Sequence, residues 1–417
     1  MLSKWQWVLK QVVQKLWFRA TLFAIAAIAT ALISILFKSF IPVSVSVKIG
    51  AEAVDNILNI LASSMLAVTT FSLNIMVGAY SSATTNVSPR ATRLVIADST
   101  TQNVLATFIG SFLFSLVGII ALNMGAYGER GRVILFVVTL VVIALILITL
   151  LRWIQHLTSL GRVGETTARV EQAATDTFVQ RAQTPSLGGF PWTESHIQPQ
   201  GTWPLFTDRI GYVEHIDMGR LASFIKDSTL QLFLCAQPGS YTHPSRAIMY
   251  TTEQVTAEFA DKLQSALTIS DVRSFTQDPR FCLSVLAEIA CRALSPAVND
   301  PGTAIDVTSR VVRVLSEYAR HYSSSAKVLY PDIHVAPLQI NHLMEDYFAP
   351  VSRDGAGSPE VLIRNLKSLA MLHDGWPKLF TEATRLQAMG IIERLEATDF
   401  TETEKRHITE TFNTHFG

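Results

Sequence analysis

Charge is scarce in this 417-residue chain: Asp, Glu, Lys and Arg make up 16% of it, against about 25% in a soluble domain. The charges also balance, with 34 of each sign. No basic excess exists to grip a phosphate backbone, so no nucleic-acid partner is expected. Cysteine is rarer still. Cys235, Cys282 and Cys291 are an odd number without a CxxC pair, which argues against a disulfide framework or a zinc knuckle and fits a reducing compartment. Gly and Pro, 21 and 16 in number, are scattered, so there is no low-complexity tract. HExxH, Walker loop, nucleophile elbow and dinucleotide fingerprint are all missing, and the histidines show no ligand spacing. His215 and Asp217, on alternate strand positions, read as surface groups rather than metal ligands. No catalytic residue, metal or cofactor is therefore expected, and an enzyme is disfavoured.

What the chain has in excess is apolar surface. Hydrophobic residues are 49% of it and mean hydropathy is +0.29. The apolarity is concentrated in four uncharged runs, residues 20–37, 57–80, 104–124 and 133–151. Each has a length in the ~17–25 residue range of a helix crossing a ~30 Å hydrocarbon core. Backbone groups in lipid must bond within their own segment, so these runs predict four transmembrane helices. Ahead of the first run, Trp5, Trp7 and Trp17 read as interfacial anchors and Lys4, Lys10 and Lys15 as snorkelling charges, which argues against a cleaved signal peptide. Lys4, Lys10, Lys15, Arg19, Arg90, Arg93, Arg152 and Arg162 fall on one side of the membrane, Lys38, Lys48, Arg130 and Arg132 on the other. That bias predicts cytoplasmic termini.

The expected fold is membrane α-helical, with four transmembrane helices followed by a cytoplasmic α+β region. Residues 1–160 form the transmembrane domain. Residues 161–204 are a helical extension of span four, with Val163, Val170, Ala174 and Phe178 on one stripe, and then a Pro/Gly-rich linker. Residues 205–250 read as a small β-rich module, with strands at 209–216 and 230–235, a helix at 218–226 capped by Asp217, and a turn at Gln237-Pro238-Gly239-Ser240. Residues 251–417 read as a helical module. Two of its helices open alike: Gln277-Asp278-Pro279 before 280–294, and Asn299-Asp300-Pro301 before 302–321. Asp is the expected N-cap and Pro the first helical residue in both. Further helices are expected at 336–347, 359–371, 377–395 and 402–416.

Three constellations are candidates for function. Span two carries Asn59, Ser63, Thr70 and Asn74 at intervals of four and seven, with Ser81 continuing the face. This stripe reads either as the lining of a pore or as a helix–helix interface, where small polar residues pack tightly in lipid. The uncharged segment Ser81 to Ser88 reads as a loop, or else as a hydrophilic prolongation of span two. Arg90 and Arg93 would then be cationic charges at an inner mouth. The third constellation is Arg292, Ser295, Asn299, Asp300 and Thr303, where backbone N–H groups at a helix start can hold an anion; helix capping explains Asp300 and its proline equally well. Span three, by contrast, offers Gly110, Ser111, Ser115 and Gly118, which suit close packing, and span four is almost wholly Val, Leu and Ile, which suits lipid.

Several of these segments together resemble one bacterial family. They are Phe71-Ser72, Ser88-Pro89-Arg90, Asp98, Gln102, Phe108 to Ser115, Gly211-Tyr212-Val213, Ile216-Asp217, Pro238-Gly239, Gln277-Asp278-Pro279, and the block from Ala293 through Asn299-Asp300-Pro301 to Thr303-Ala304. The chain resembles, over about residues 10–395, the predicted integral membrane proteins with domain of unknown function 2254. Gly302 departs from the bulkier residue expected there. The resemblance implies a four-span bacterial inner-membrane protein with a cytoplasmic region, and no activity. The functional expectation is a homo-oligomeric ion channel or passive pore with a cytoplasmic vestibule or sensor. The alternative is a membrane-anchored sensor or scaffold without transport. Its partners are then the lipid bilayer, further copies of itself and a small anion.

Overall fold

A computed structural model describes residues 17–18, 21–22, 25, 28–29, 51–96, 98–125, 129–158, 160–193, 198–323 and 325–417. The chain divides into two compact units. One lies within residues 5–85 and 92–165; the other holds Asn86–Ala91 and Thr166–Gly417.

The first unit is helical. Helix α1 spans Ala51–Asn86, α2 Thr92–Ile96, α3 Ser99–Asn123 and α4 Glu129–Leu157. Three stretches, Glu52–Asn86, Thr92–Asn123 and Gly131–Leu157, are long and apolar enough to cross a membrane. They correspond to the second, third and fourth expected spans. The first, 20–37, lies largely outside the described residues. One face of α1, with Val54, Leu58, Leu61 and Met65, packs with Phe108 and Phe114 of α3 and with Leu135, Ile146 and Trp153 of α4. A Cβ at Gly118 of α3 would come within 3.1 Å of Leu58, so the small residue sets the approach of the two helices, as its position in span three implies. Ser111 and Ser115 are buried on that same face.

Two boundaries differ from the sequence expectation. The segment after Ser81 is helix, not loop, as far as Asn86. No proline interrupts it before Pro89, and Thr84 returns its hydroxyl to the Tyr80 carbonyl at 2.8 Å. Conversely, span four does not run on unbroken. The chain leaves α4 after Leu157 and starts α5, Val163–Gln183, beyond Gly161. Gly161 has φ +79°, a left-handed conformation that ends a helix and that a side chain would strain.

The second unit is α+β. After α5 come β1 (Gly189–Pro191), β2 (Trp203–Leu205), β3 (Gly211–Ile216), α6 (Met218–Ile225), β4 (Leu232–Leu234), β5 (Tyr241–Thr242), β6 (Met249–Thr251), α7 (Ala257–Gln264) and β7 (Leu267–Ser270). Then follow α8 (Pro279–Ala293), α9 (Pro301–His321), β8 (Tyr330–Val335), α10 (Ile340–Asp354), α11 (Pro359–Gly375), α12 (Pro377–Leu395) and α13 (Glu402–Phe416). The strands make a five-stranded sheet, β1-β8-β4-β6-β2, and a three-stranded one, β5-β3-β7. β8 runs parallel to both β1 and β4; the remaining pairs are antiparallel. Val213, Ile216, Leu221, Leu232, Met249 and Ile333 join one apolar core that spans both sheets and α6.

The sheet thus reaches well outside residues 205–250. The Pro/Gly-rich 185–204 segment supplies β1 and β2, and the stretch read as purely helical supplies β7 and β8. Strands of three residues carry too little alternation to show a period. Helix α10 also differs: it starts at Ile340 rather than 336, after Pro337, and continues through Pro350 to Asp354. Buried Val351 and Ser352 hold that last turn in place, so tertiary packing outweighs the proline penalty.

Candidate functional site

The span-two stripe lies on the outside of its unit. Asn59, Ser63, Thr70, Asn74 and Ser81 are all exposed, while the opposite face of α1 is buried. Two of the hydroxyls bond back along the helix: Ser63 Oγ donates to the Asn59 carbonyl at 2.9 Å and Thr70 Oγ1 to that of Leu66 at 3.0 Å. Asn59 Nδ2 donates to the Asp55 carbonyl and carboxylate at 3.0 and 3.1 Å. Asn74 has no side-chain hydrogen bond among the described residues. An amide without a partner is costly in hydrocarbon.

Arg90 forms an ion pair with Glu288 of α8, and Ser88 Oγ donates to the same carboxylate at 2.8 Å. Arg93 sits in α2. The charge of Arg90 is therefore compensated by that carboxylate.

The junction of α8 and α9 is filled by its own carboxylate. Asp300 Oδ1 accepts from Thr303 N at 3.0 Å, and Oδ2 from the Thr303 hydroxyl at 2.5 Å. Those bonds hold the Asp300 carboxyl below the usual carboxylate range. Ser295 Oγ donates to the Arg292 carbonyl at 2.7 Å. Asn299 has φ +50°, a conformation asparagine tolerates. At this helix start Asp300 itself accepts from the Thr303 N–H and hydroxyl, as a cap does.

A different place in the same unit has the build of a site. A cleft of about 390 Å³ opens between α5, the β4–β5 turn, the approach to α8 and the β8–α10 connection. Arg181, Arg273, Arg280 and Asp278 line it, with Gln237, Ser240, Gln339 and His342. Its walls are fixed by hydrogen bonds. Gly239 N donates to the Val213 carbonyl at 2.8 Å and Val213 N to the Ser240 carbonyl at 2.9 Å. Gln237 Nε2 reaches the Ala336 carbonyl at 3.1 Å. Gln277, buried, accepts from Ile216 N at 3.0 Å. Gly239 has φ +90°, and a Cβ there would stand 2.2 Å from Asp278 Oδ2. The Pro-Gly turn is thereby pressed onto the Asp278 carboxylate. Segments far apart in sequence but marked by the family resemblance converge here: Gly211-Tyr212-Val213, Ile216, Pro238-Gly239 and Gln277-Asp278-Pro279.

The charges of the cleft pair unequally. Asp278 caps α8, accepting from Phe281 N at 3.0 Å, and takes Arg273 through Nε at 2.7 Å and Nη2 at 3.0 Å. Arg280 is held the same way by Asp346, at 2.6 and 2.7 Å. Arg181, only 5% exposed, donates Nη2 to the Gln277 carbonyl at 3.0 Å, and its Nη1 has no partner. Burial lowers its pKa to about 10, against a smaller opposing pull from Tyr318 and Asp278. Burial pushes the thiol of Cys235, also on the wall, up to about 12. Sequence reasoning singled out the Gln277-Asp278-Pro279 and Pro238-Gly239 segments but none of the three arginines. Nothing in their spacing announces them, since Arg181 and Gln277 meet only through the fold. Among the described residues no cluster of His, Cys, Asp and Glu is fit to hold a metal.

Apolar helices of spanning length joined to an α+β unit define a membrane protein. The chain belongs to the family described as predicted membrane protein (DUF2254), which matches residues 13–371. Among curated proteins it is similar to the uncharacterized proteins Rv1290c of Mycobacterium tuberculosis and Mb1321c of Mycobacterium bovis, each 28% identical over 254 residues. That alignment covers 57% of this chain and 47% of each relative, so the chain spans about half the length of the curated relatives it matches. No solved structure matches it.

Proposed function

We propose that the protein is a homo-oligomeric passive pore of the bacterial inner membrane, in which copies of α1 turn their polar faces toward a shared path. The observation that carries this is the exposure of all five stripe residues on one side of α1, away from the apolar core of the same chain. Asn74, unpartnered on that side, gains a partner only from water or from another copy. A path without net charge selects by size and field, and with Arg90 paired to Glu288 it has only a modest preference for anions. The reading places both termini in the cytoplasm on the Lys/Arg bias and takes the first apolar run as a fourth span. It includes no catalytic step, cofactor or nucleic acid.

The test is conductance of the purified protein in planar bilayers, compared with Asn74→Leu. Open events in the parent and altered unitary conductance in the variant are expected. Silence under varied voltage, tension and pH removes the pore. A second reading, a membrane-anchored sensor or scaffold, is favoured by the back-bonded hydroxyls of Ser63 and Thr70, which can face lipid without an outside partner. A monomeric particle in detergent with no conductance is the result expected of it.

A further inference from the structure

We infer that the cleft beside Arg181 binds a small hydrophilic oxyanion, a phosphorylated or carboxylated metabolite, with the Arg181 guanidinium as its anchoring cation. The inference does not depend on the pore. It starts from the pairing within the cleft. Asp278 satisfies Arg273 through two hydrogen bonds and Asp346 satisfies Arg280 through two more. One cation is left over. It is the one that is 95% buried by its 5% exposure, and burial of an uncompensated charge is expensive unless a counter-ion arrives. Arg181 is also held ready. The Gln277 carbonyl fixes Nη2, while Nη1 stays without a partner. Because Gln277 is itself fixed by the Ile216 backbone, the donor is preorganised rather than mobile.

The remainder of the wall sets the class of ligand. The volume of about 390 Å³ suits a small metabolite. Gln237, Ser240, Gln339 and His342 offer hydrogen bonds to hydroxyl or carboxyl groups. Among the described residues no Phe, Tyr or Trp lines the cleft, so the wall is mainly polar. Gly239 lets the turn close over Asp278, whose two oxygens are bonded by Arg273.

The experiment is calorimetric titration of the full chain in detergent with inorganic phosphate and, separately, with succinate. The parent protein is expected to bind at least one of the two, phosphate alone pointing to a phosphorylated ligand and succinate alone to a carboxylated one. Arg181→Met is expected to weaken binding roughly 10- to 100-fold, the worth of a charge-assisted hydrogen bond, with Arg181→Lys in between. Without anion, Arg181→Met is expected to unfold at or above the temperature of the parent, because an unpaired buried charge has gone. If Arg181→Met does not fold, Arg181→Lys and Gln339→Leu take its place. Failure of both anions to bind the parent, or equal affinity in the parent and the folded variants, overturns the assignment.

Discussion

The starts of α8 and α9 are two versions of one sequence device. Asp278 and Asp300 have nearly the same backbone, φ/ψ −113°/87° and −115°/80°. Each precedes a proline in the first turn, and each accepts from the backbone N–H three residues on at 3.0 Å. Their surroundings differ entirely. Asp278 is 3% exposed, paired to Arg273, and roofed by Gly239. Asp300 is exposed, its second oxygen taken by the Thr303 hydroxyl. The residue before each cap differs in the same sense: Gln277 is buried and ties α8 to β3, whereas Asn299 is an exposed turn residue. A local motif specifies a helix start. Whether that start also builds a site is decided by what the chain brings to it from elsewhere.

Substitutions should separate the two starts, most strongly where the cleft is tightest. Gly239→Ala combines a left-handed backbone with a Cβ driven into the Asp278 carboxylate; a loss on the order of 4 kcal/mol is expected. Chemical unfolding of the full chain in detergent measures it, and a loss under 1 kcal/mol would mean that the turn does not bear on Asp278. Asp278→Ala removes a buried cap together with the two hydrogen bonds from Arg273, for about 3 kcal/mol. Asp300→Ala removes a cap alone, for about 1 kcal/mol. Equal effects at the two aspartates would collapse the distinction.

Much of this was legible in the sequence. Three of the four apolar runs lie in helices of spanning length, both Asp-Pro starts are helix starts, and α12 and α13 fall at 377–395 and 402–416 as their patterns imply. These features are local, set by a run of composition or a cap within four residues. The fold of the sheet was not legible. β1 and β8 pair across some 140 residues, and each strand is short or flanked by helical pattern. The site was legible in pieces only. Asp278 could be read as a cap, but its roof at Gly239 and the meeting of Arg181 with Gln277 are long-range facts. An Asp-Pro start offers the same N–H groups in both places, and only the fold shows that Asp278 is buried and Asp300 exposed.

The smallest expected difference lies in pH. Asp300 has its carboxyl lowered first by the Thr303 hydroxyl and then by backbone N–H groups, with burial opposing weakly. A carboxyl whose folded pKa is depressed binds its proton more readily when unfolded. Its contribution is therefore complete above the unfolded value, near 3.9, and disappears as pH falls through the lower folded value. The stability gap between the parent and Asp300→Ala should accordingly be flat from about pH 7 to pH 5 and shrink below about pH 4. Asp300→Asn keeps an acceptor but no charge, so its gap should be smaller than that of alanine at pH 7 and should shrink over the same range, because the carboxyl that titrates belongs to the parent. Because the group is exposed, added salt should erode only the charged part. Unfolding curves at pH 7, 5 and 3 for the three proteins measure this. A gap for Asp300→Ala that widens on acidification would mean that Asp300 is stabilised in its protonated form, and the cap described here would then be wrong.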